Sequence, residues 1–134
     1  MAAPKYKLLL IEDDAAQREL VHHVLEPHGF EVQEASTGDA GIKKIQETAF
    51  DALLVDLRMP KLSGEFVIQW VLANRPELRE RILVITGDLL SPGLDAFLGS
   101  VKVPMLAKPY LLSDLVEAVK KIVGAATASA SNGP

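Results

Sequence analysis

Three short stretches of this chain are apolar without interruption: Leu8-Leu9-Leu10-Ile11, Ala52-Leu53-Leu54-Val55 and Ile82-Leu83-Val84-Ile85. None alternates polar with apolar residues, so each reads as a strand covered on both faces. Two further runs look different. Phe30–Ala35 alternates, as an edge strand does, and Val103–Ala107 contains Pro104, which favours an edge because proline cannot donate to a ladder. Helix-like segments separate the strands, and the alternation occurs five times. It predicts a (βα)5 doubly wound parallel sheet with the order 2-1-3-4-5, the three apolar strands lying centrally.

The helical segments are placed by their apolar spacing and their caps. Ala15–Glu26 carries Leu20, Val21, Val24 and Leu25 on one face; Asp14 and Gln17 form a capping-box pattern at its start, and Pro27 and Gly29 stop it. Gly38–Thr48 presents Ile42, Ile45 and Ala49, and Glu65–Asn74 turns Phe66, Val67, Trp70 and Val71 inward before Pro76. Pro92–Leu98, with Ser91 as N-cap, is a short helix weakened by Gly93 and Gly99. Ser113–Val123 is strong, with Leu115, Val116, Val119, Ile122 and Val123 on one face. Residues 1–4 are read as a tail, 5–123 as one domain, and the Ala/Ser/Gly-rich residues 124–134 as a disordered tail.

Four of the five strands lead into polar groups. Glu12-Asp13-Asp14 follows the first run, Asp56 ends the third strand, Thr86 the fourth, and Lys108 follows the fifth. Parallel strands bring these groups to one edge of the sheet, and ligands bind where the strand order reverses, between the first and third strands. Carboxylates, a hydroxyl and an ammonium gathered there suit a divalent cation and a phosphoryl group. Asp14 itself reads as a helix cap, and His22, His23 and His28 as surface residues; Trp70 reads as core.

Composition narrows the classes. The chain has no cysteine, which excludes disulfides and thiolate metal sites. A net charge of −4 without a basic stripe argues against a nucleic-acid partner. No apolar run approaches the ~20 residues that span a bilayer, and Met1–Lys5 is not followed by a secretory apolar region, so a cytoplasmic protein is expected.

Four motifs, in order, resemble the response regulator receiver family, whose fold is flavodoxin-like: Leu10-Ile11-Glu12-Asp13-Asp14, Asp56-Leu57-Arg58-Met59-Pro60-Lys61-Leu62-Ser63-Gly64, Ile85-Thr86-Gly87 and Lys108-Pro109-Tyr110. The resemblance covers about Lys5 to Val123. It implies that Asp56 is the phosphoacceptor and that Asp13 and Asp56 bind Mg2+ directly. Glu12 would act through water and Arg58 through its backbone carbonyl. Thr86 would hydrogen-bond the phosphoryl group and Lys108 would pair with it, aimed by a cis Lys108–Pro109 bond. The implied partners are a histidine kinase or phosphotransfer protein and an unknown downstream protein, with the chain a monomer or weak dimer. Its output face would comprise strands 4 and 5 with helices 4 and 5. The implied role is that of a phosphoacceptor signalling domain, not an enzyme with an external substrate. A Mg2+-dependent phosphatase working through an aspartyl phosphate is the alternative; it lacks an acid two residues after Asp56.

The chain departs from the family pattern at three places. Met105 stands where many members have an aromatic switch residue, and Gly87 where alanine is commoner. Ser91–Ser100 is glycine-containing and expected to be short and mobile, so that output would rely on Leu89 and Leu90. A cross-site pair between Arg58 and Asp88 is a further expectation, limiting water access to the phosphoryl group.

Overall fold

The computed structural model describes residues 6–57, 64–87 and 93–131. Among them, strands β1 (Tyr6–Ile11), β2 (Phe30–Ala35), β3 (Ala52–Asp56), β4 (Ile82–Thr86) and β5 (Met105–Ala107) alternate with helices. These are α1 (Ala15–Leu25), α2 (Gly38–Glu47), α3 (Gly64–Asn74), α4 (Leu94–Val101) and α5 (Leu112–Ser131). Every strand pairing is parallel, and the order is β2-β1-β3-β4-β5, as the sequence predicts.

The unbroken apolar runs are explained by two cores, one on each face. Leu9, Ile11, Leu53, Val55, Ile82 and Val84 pack with α2, α3 and α4. Their alternate neighbours Leu8, Leu10, Ala52, Leu54, Leu83 and Ile85 pack with α1 and α5. Side chains alternate along a strand, so a strand with both faces covered has no position for a polar residue until it leaves the sheet. Truncating one such leucine to alanine costs ~2–5 kcal/mol. The register Ile11↔Val55 and Asp56↔Ile85 brings the strand ends level with one another.

Caps fix where the helices begin. The Asp14 carboxylate accepts from the N–H groups of Ala16 (2.8 Å) and Gln17 (3.1 Å). Thr37 does the same for α2, its hydroxyl accepting from Ala40 N–H at 3.1 Å. Each cap satisfies donors that no preceding helical turn can reach.

Several element details differ from the sequence reading. Phe66 is 48% exposed, because the buried stripe of α3 is Val67, Ile68 and Val71 and Phe66 falls outside it. Leu20 likewise lies on the flank of a stripe centred on Val21 and Leu25. Ala49 lies beyond the end of α2 and is exposed, while Phe50 is buried in the core. Helix α4 starts at Leu94, after Gly93 in the left-handed region, and runs to Val101; Leu94, Phe97 and Val101 anchor it. Ser91 and Pro92 lie outside the described residues. Strand β5 begins only at Met105, although the Pro104 carbonyl still accepts from Val84 N–H at 2.9 Å. Helix α5 runs past Val123 to Ser131, where the sequence reading placed a disordered tail. Ala125, Ala126, Ala128 and Ala130 are strong helix formers and carry the helix through Gly124.

Candidate functional site

The strand ends are tied together by backbone bonds that extend one residue past the strands. Glu12 N–H donates to Ala35 O (3.0 Å), Leu57 N–H to Ile85 O (3.3 Å), and Lys108 N–H to Thr86 O (2.8 Å). The polar residues therefore leave the sheet at positions set by the ladder. Glu12, Asp13, Asp56, Gly87 and Lys108 line a cleft of about 310 Å³, together with Asp14 and Gln17 from the start of α1.

One carboxylate oxygen from each of Glu12, Asp13 and Asp56 lies within 4.8 Å of the other two. Glu12 and Asp56 are both 4% exposed, whereas Asp13 faces solvent. Lys108 Nζ spans the buried pair, donating to Glu12 Oε1 at 3.1 Å and Asp56 Oδ2 at 3.3 Å. The Lys108–Pro109 peptide bond is cis, as the resemblance implies. Burial, and then the charge of Asp56, push the Glu12 carboxyl up to about 7. Burial alone would lower the Lys108 ammonium, but the Glu12 hydrogen bond and the charges of Asp56 and Glu12 outweigh it and raise it above its usual value. Tyr110, half-buried nearby, is also raised by burial, with Lys108 opposing.

The donor set is hard: carboxylate oxygens close together, with no cysteine in the chain and no imidazole in the cluster. Such a set fits Mg2+ or a similar oxygen-seeking divalent ion. Compressing buried carboxylates is costly without a cation, and Lys108 supplies one positive charge against three acids.

The predicted residues are distributed as follows. Glu12, Asp13, Asp56 and Lys108 come together. Thr86 is buried at the end of β4 and, among the described residues, is not one that lines the cleft. Arg58 lies outside the described residues, as do Asp88, Leu89 and Leu90. At Gly87 a Cβ would stand 3.4 Å from Lys108 Cβ, so the glycine leaves open the space beside the lysine stem. Met105 is 39% exposed on the edge strand. His23 and His28 are exposed, His22 is half-buried beside Glu26, and Trp70 packs against the core.

Two residues were not legible as parts of the site. A Cβ at Gly64 would strike the carbonyl oxygen of Asp56 and stand 2.7 Å from Leu57 Cα, so α3 starts directly against the end of β3. Arg18 Nη1 donates to the Glu12 carbonyl at 2.8 Å and its Nε to Glu34 Oε1 at 3.2 Å. Gly64 belongs to a quoted motif without an assigned role, and Arg18 sits on a helix face whose neighbours only the fold reveals.

The model of the response regulator receiver domain matches residues 8–120. The response regulator receiver protein CpdR of Brucella abortus (strain 2308) is 32% identical over 123 residues, covering 90% of this chain and 98% of that protein. The uncharacterized transcriptional regulatory protein YcbL of Bacillus subtilis (strain 168) is 29% identical over 126 residues; the match takes in 94% of this chain and only 54% of YcbL. Among solved structures, a CheY-like response regulator receiver domain protein from Methanospirillum hungatei JF-1 aligns with a TM-score of 0.84 at 25% identity, over 92% of this chain and 98% of that one.

Proposed function

The chain belongs to the response regulator receiver family of two-component systems, and on that premise we propose that Asp56 accepts a phosphoryl group from a phosphohistidine in a Mg2+-dependent reaction. The observation that carries this reading is the geometry of Lys108, an ammonium spanning two buried carboxylates at the switch point of the sheet, with a third acid beside them.

A carboxylate is a reluctant nucleophile toward an anionic phosphoryl donor, because like charges repel. Bound Mg2+ supplies the charge that offsets this repulsion. Asp13 and Asp56 would hold the ion directly, Glu12 through water, and Arg58 through its backbone carbonyl. An Asp56 carboxylate oxygen attacks phosphorus. The new O–P bond forms as the N–P bond to the donor imidazole breaks, and the electron pair leaves with the imidazole nitrogen. Lys108 pairs with the phosphoryl oxygens, having been held beside Asp56 beforehand. Thr86, at the end of β4, would donate its hydroxyl to the same group and so carry the change to that strand end. The affected face is β4, β5, α4 and α5. Its exposed Met105 offers a flexible contact for a partner protein in place of an aromatic toggle.

The donor in this reading is a histidine kinase or phosphotransfer protein, and the chain works in the cytoplasm. Among the described residues no helix is long and apolar enough to cross a membrane.

The test is the intact mass after incubation with acetyl phosphate. Wild type gains one phosphoryl adduct that requires Mg2+, and Asp56→Asn gains none. An equal adduct on Asp56→Asn would remove Asp56 from its role. Steady phosphate release that depends on Asp56, with no adduct, would favour the phosphatase reading.

A further inference from the structure

All four polar groups of Glu12 are engaged. Its N–H donates to Ala35 O at 3.0 Å, and its side-chain oxygens accept from Lys108 Nζ at 3.1 Å and Asp14 N–H at 3.2 Å. Its carbonyl accepts from Arg18 Nη1 at 2.8 Å. That last donor reaches in from α1, and its own orientation is fixed by a second bond from Nε to Glu34 on the edge strand β2, at 3.2 Å. The Arg18 side chain is only 18% exposed. One guanidinium thus joins the edge of the sheet to the backbone of the residue that opens the acidic loop.

We propose that Arg18 is a positioning residue for the divalent cation, holding the Glu12–Asp13 backbone so that its two carboxylates meet that of Asp56. The inference rests on reading the acidic cluster as a Mg2+ site. Three carboxylates within 4.8 Å repel one another, and two of them ride on the loop that leaves β1. Without a restraint, the lowest-energy response before the ion arrives is for that loop to swing outward. The bond on the Glu12 carbonyl opposes this swing. A planar guanidinium can satisfy two acceptors on two different elements at fixed orientation, and a lysine ammonium is a compact point charge on a flexible stem. Residues that orient metal ligands in this way typically contribute ~10–100-fold to affinity.

Positioning and plain charge have opposite signs here. As a nearby cation alone, Arg18 would repel Mg2+, and its removal would tighten binding. As a strut, its removal weakens binding.

The experiment is calorimetric titration of Mg2+ into the full chain, comparing wild type with Arg18→Met, Arg18→Lys and Glu34→Gln. Thr37→Ala serves as a control, since it removes the α2 cap and Thr37 does not line the cleft. Arg18→Met is expected to weaken Mg2+ binding by ~10–100-fold, Arg18→Lys and Glu34→Gln by smaller factors, and Thr37→Ala not at all. Unchanged or tighter binding by Arg18→Met overturns the proposal. If Arg18→Met does not fold, wild-type affinity in both Arg18→Lys and Glu34→Gln overturns it instead. Wild type that binds no Mg2+ overturns the metal reading and this inference together, an outcome distinct from a variant that binds as wild type does.

Discussion

Asp51 and Asp56 stand at the two ends of the same strand and do opposite things. Asp51, just before β3, is tied to β1 on both sides: its carboxylate accepts from Lys7 N–H at 2.7 Å, and its own N–H donates to the Lys7 carbonyl at 2.7 Å. Asp56, at the other end, faces Glu12, Asp13 and Lys108. The first acid closes a backbone gap and strengthens the fold. The second is crowded by like charge, which works against the fold and, on the proposed reading, prepares it for a cation. Cleft size does not separate them: the Asp51 end borders a hollow of about 470 Å³, larger than the cleft at Asp56. What separates them is whether other carboxylates crowd the acid.

The sharpest way to break this contrast is stability. Asp51→Ala strands a backbone donor and removes a charged acceptor, and should lower unfolding free energy by ~1.5–3 kcal/mol while leaving the phosphoryl adduct intact. Asp56→Asn should instead raise stability by about 1 kcal/mol, since it removes one member of a repelling cluster. Urea melts of the two variants measure both; losses of equal size would mean that the two ends are not different in kind. Next in size is Gly64→Ala, whose new methyl group meets backbone at Asp56 and Leu57 and should cost ~1–3 kcal/mol. Gly99→Ala, with open space around it, is the comparison that should not lose stability. A further effect is in pH. Folded Glu12 holds its proton to about 7, against 4.5 for the free side chain. Its contribution to stability is therefore fully present below 4.5 and is lost as pH rises to about 7. Glu12→Gln should flatten that part of the stability profile. Mg2+, which competes with the same proton, should bind more tightly as pH rises across this window in wild type and not in the variant.

Much of the fold was written in local pattern. The runs at Leu8, Ala52 and Ile82 have a single reading once both faces must be covered, and the alternation of Phe30–Ala35 marks an edge. Asp56, Glu12 and Lys108 follow from the same logic, since a polar residue closing a buried strand has only the sheet edge to go to. Legibility fails where tertiary packing chooses among local options. Phe66 and Val67 are equally apolar, and only the angle of α3 against the sheet decides which is buried. Helix α4 has one glycine before its start and another within it, yet its Leu94, Phe97 and Val101 have somewhere to pack. Arg18 and Glu34 are separated by an entire helix and turn, so their bond exists only because β2 lies beside β1.

The three backbone bonds that carry the ladder past the strand ends, at Glu12, Leu57 and Lys108, use no side chain at all. Neutral drift can therefore rewrite the apolar residues beneath them, one volume-conserving exchange at a time, without moving the mouth of the cleft. On the proposed reading the chemistry is inherited through the main chain, and side chains need to be kept only where they would touch the ion, the phosphoryl group or the loop that bears them.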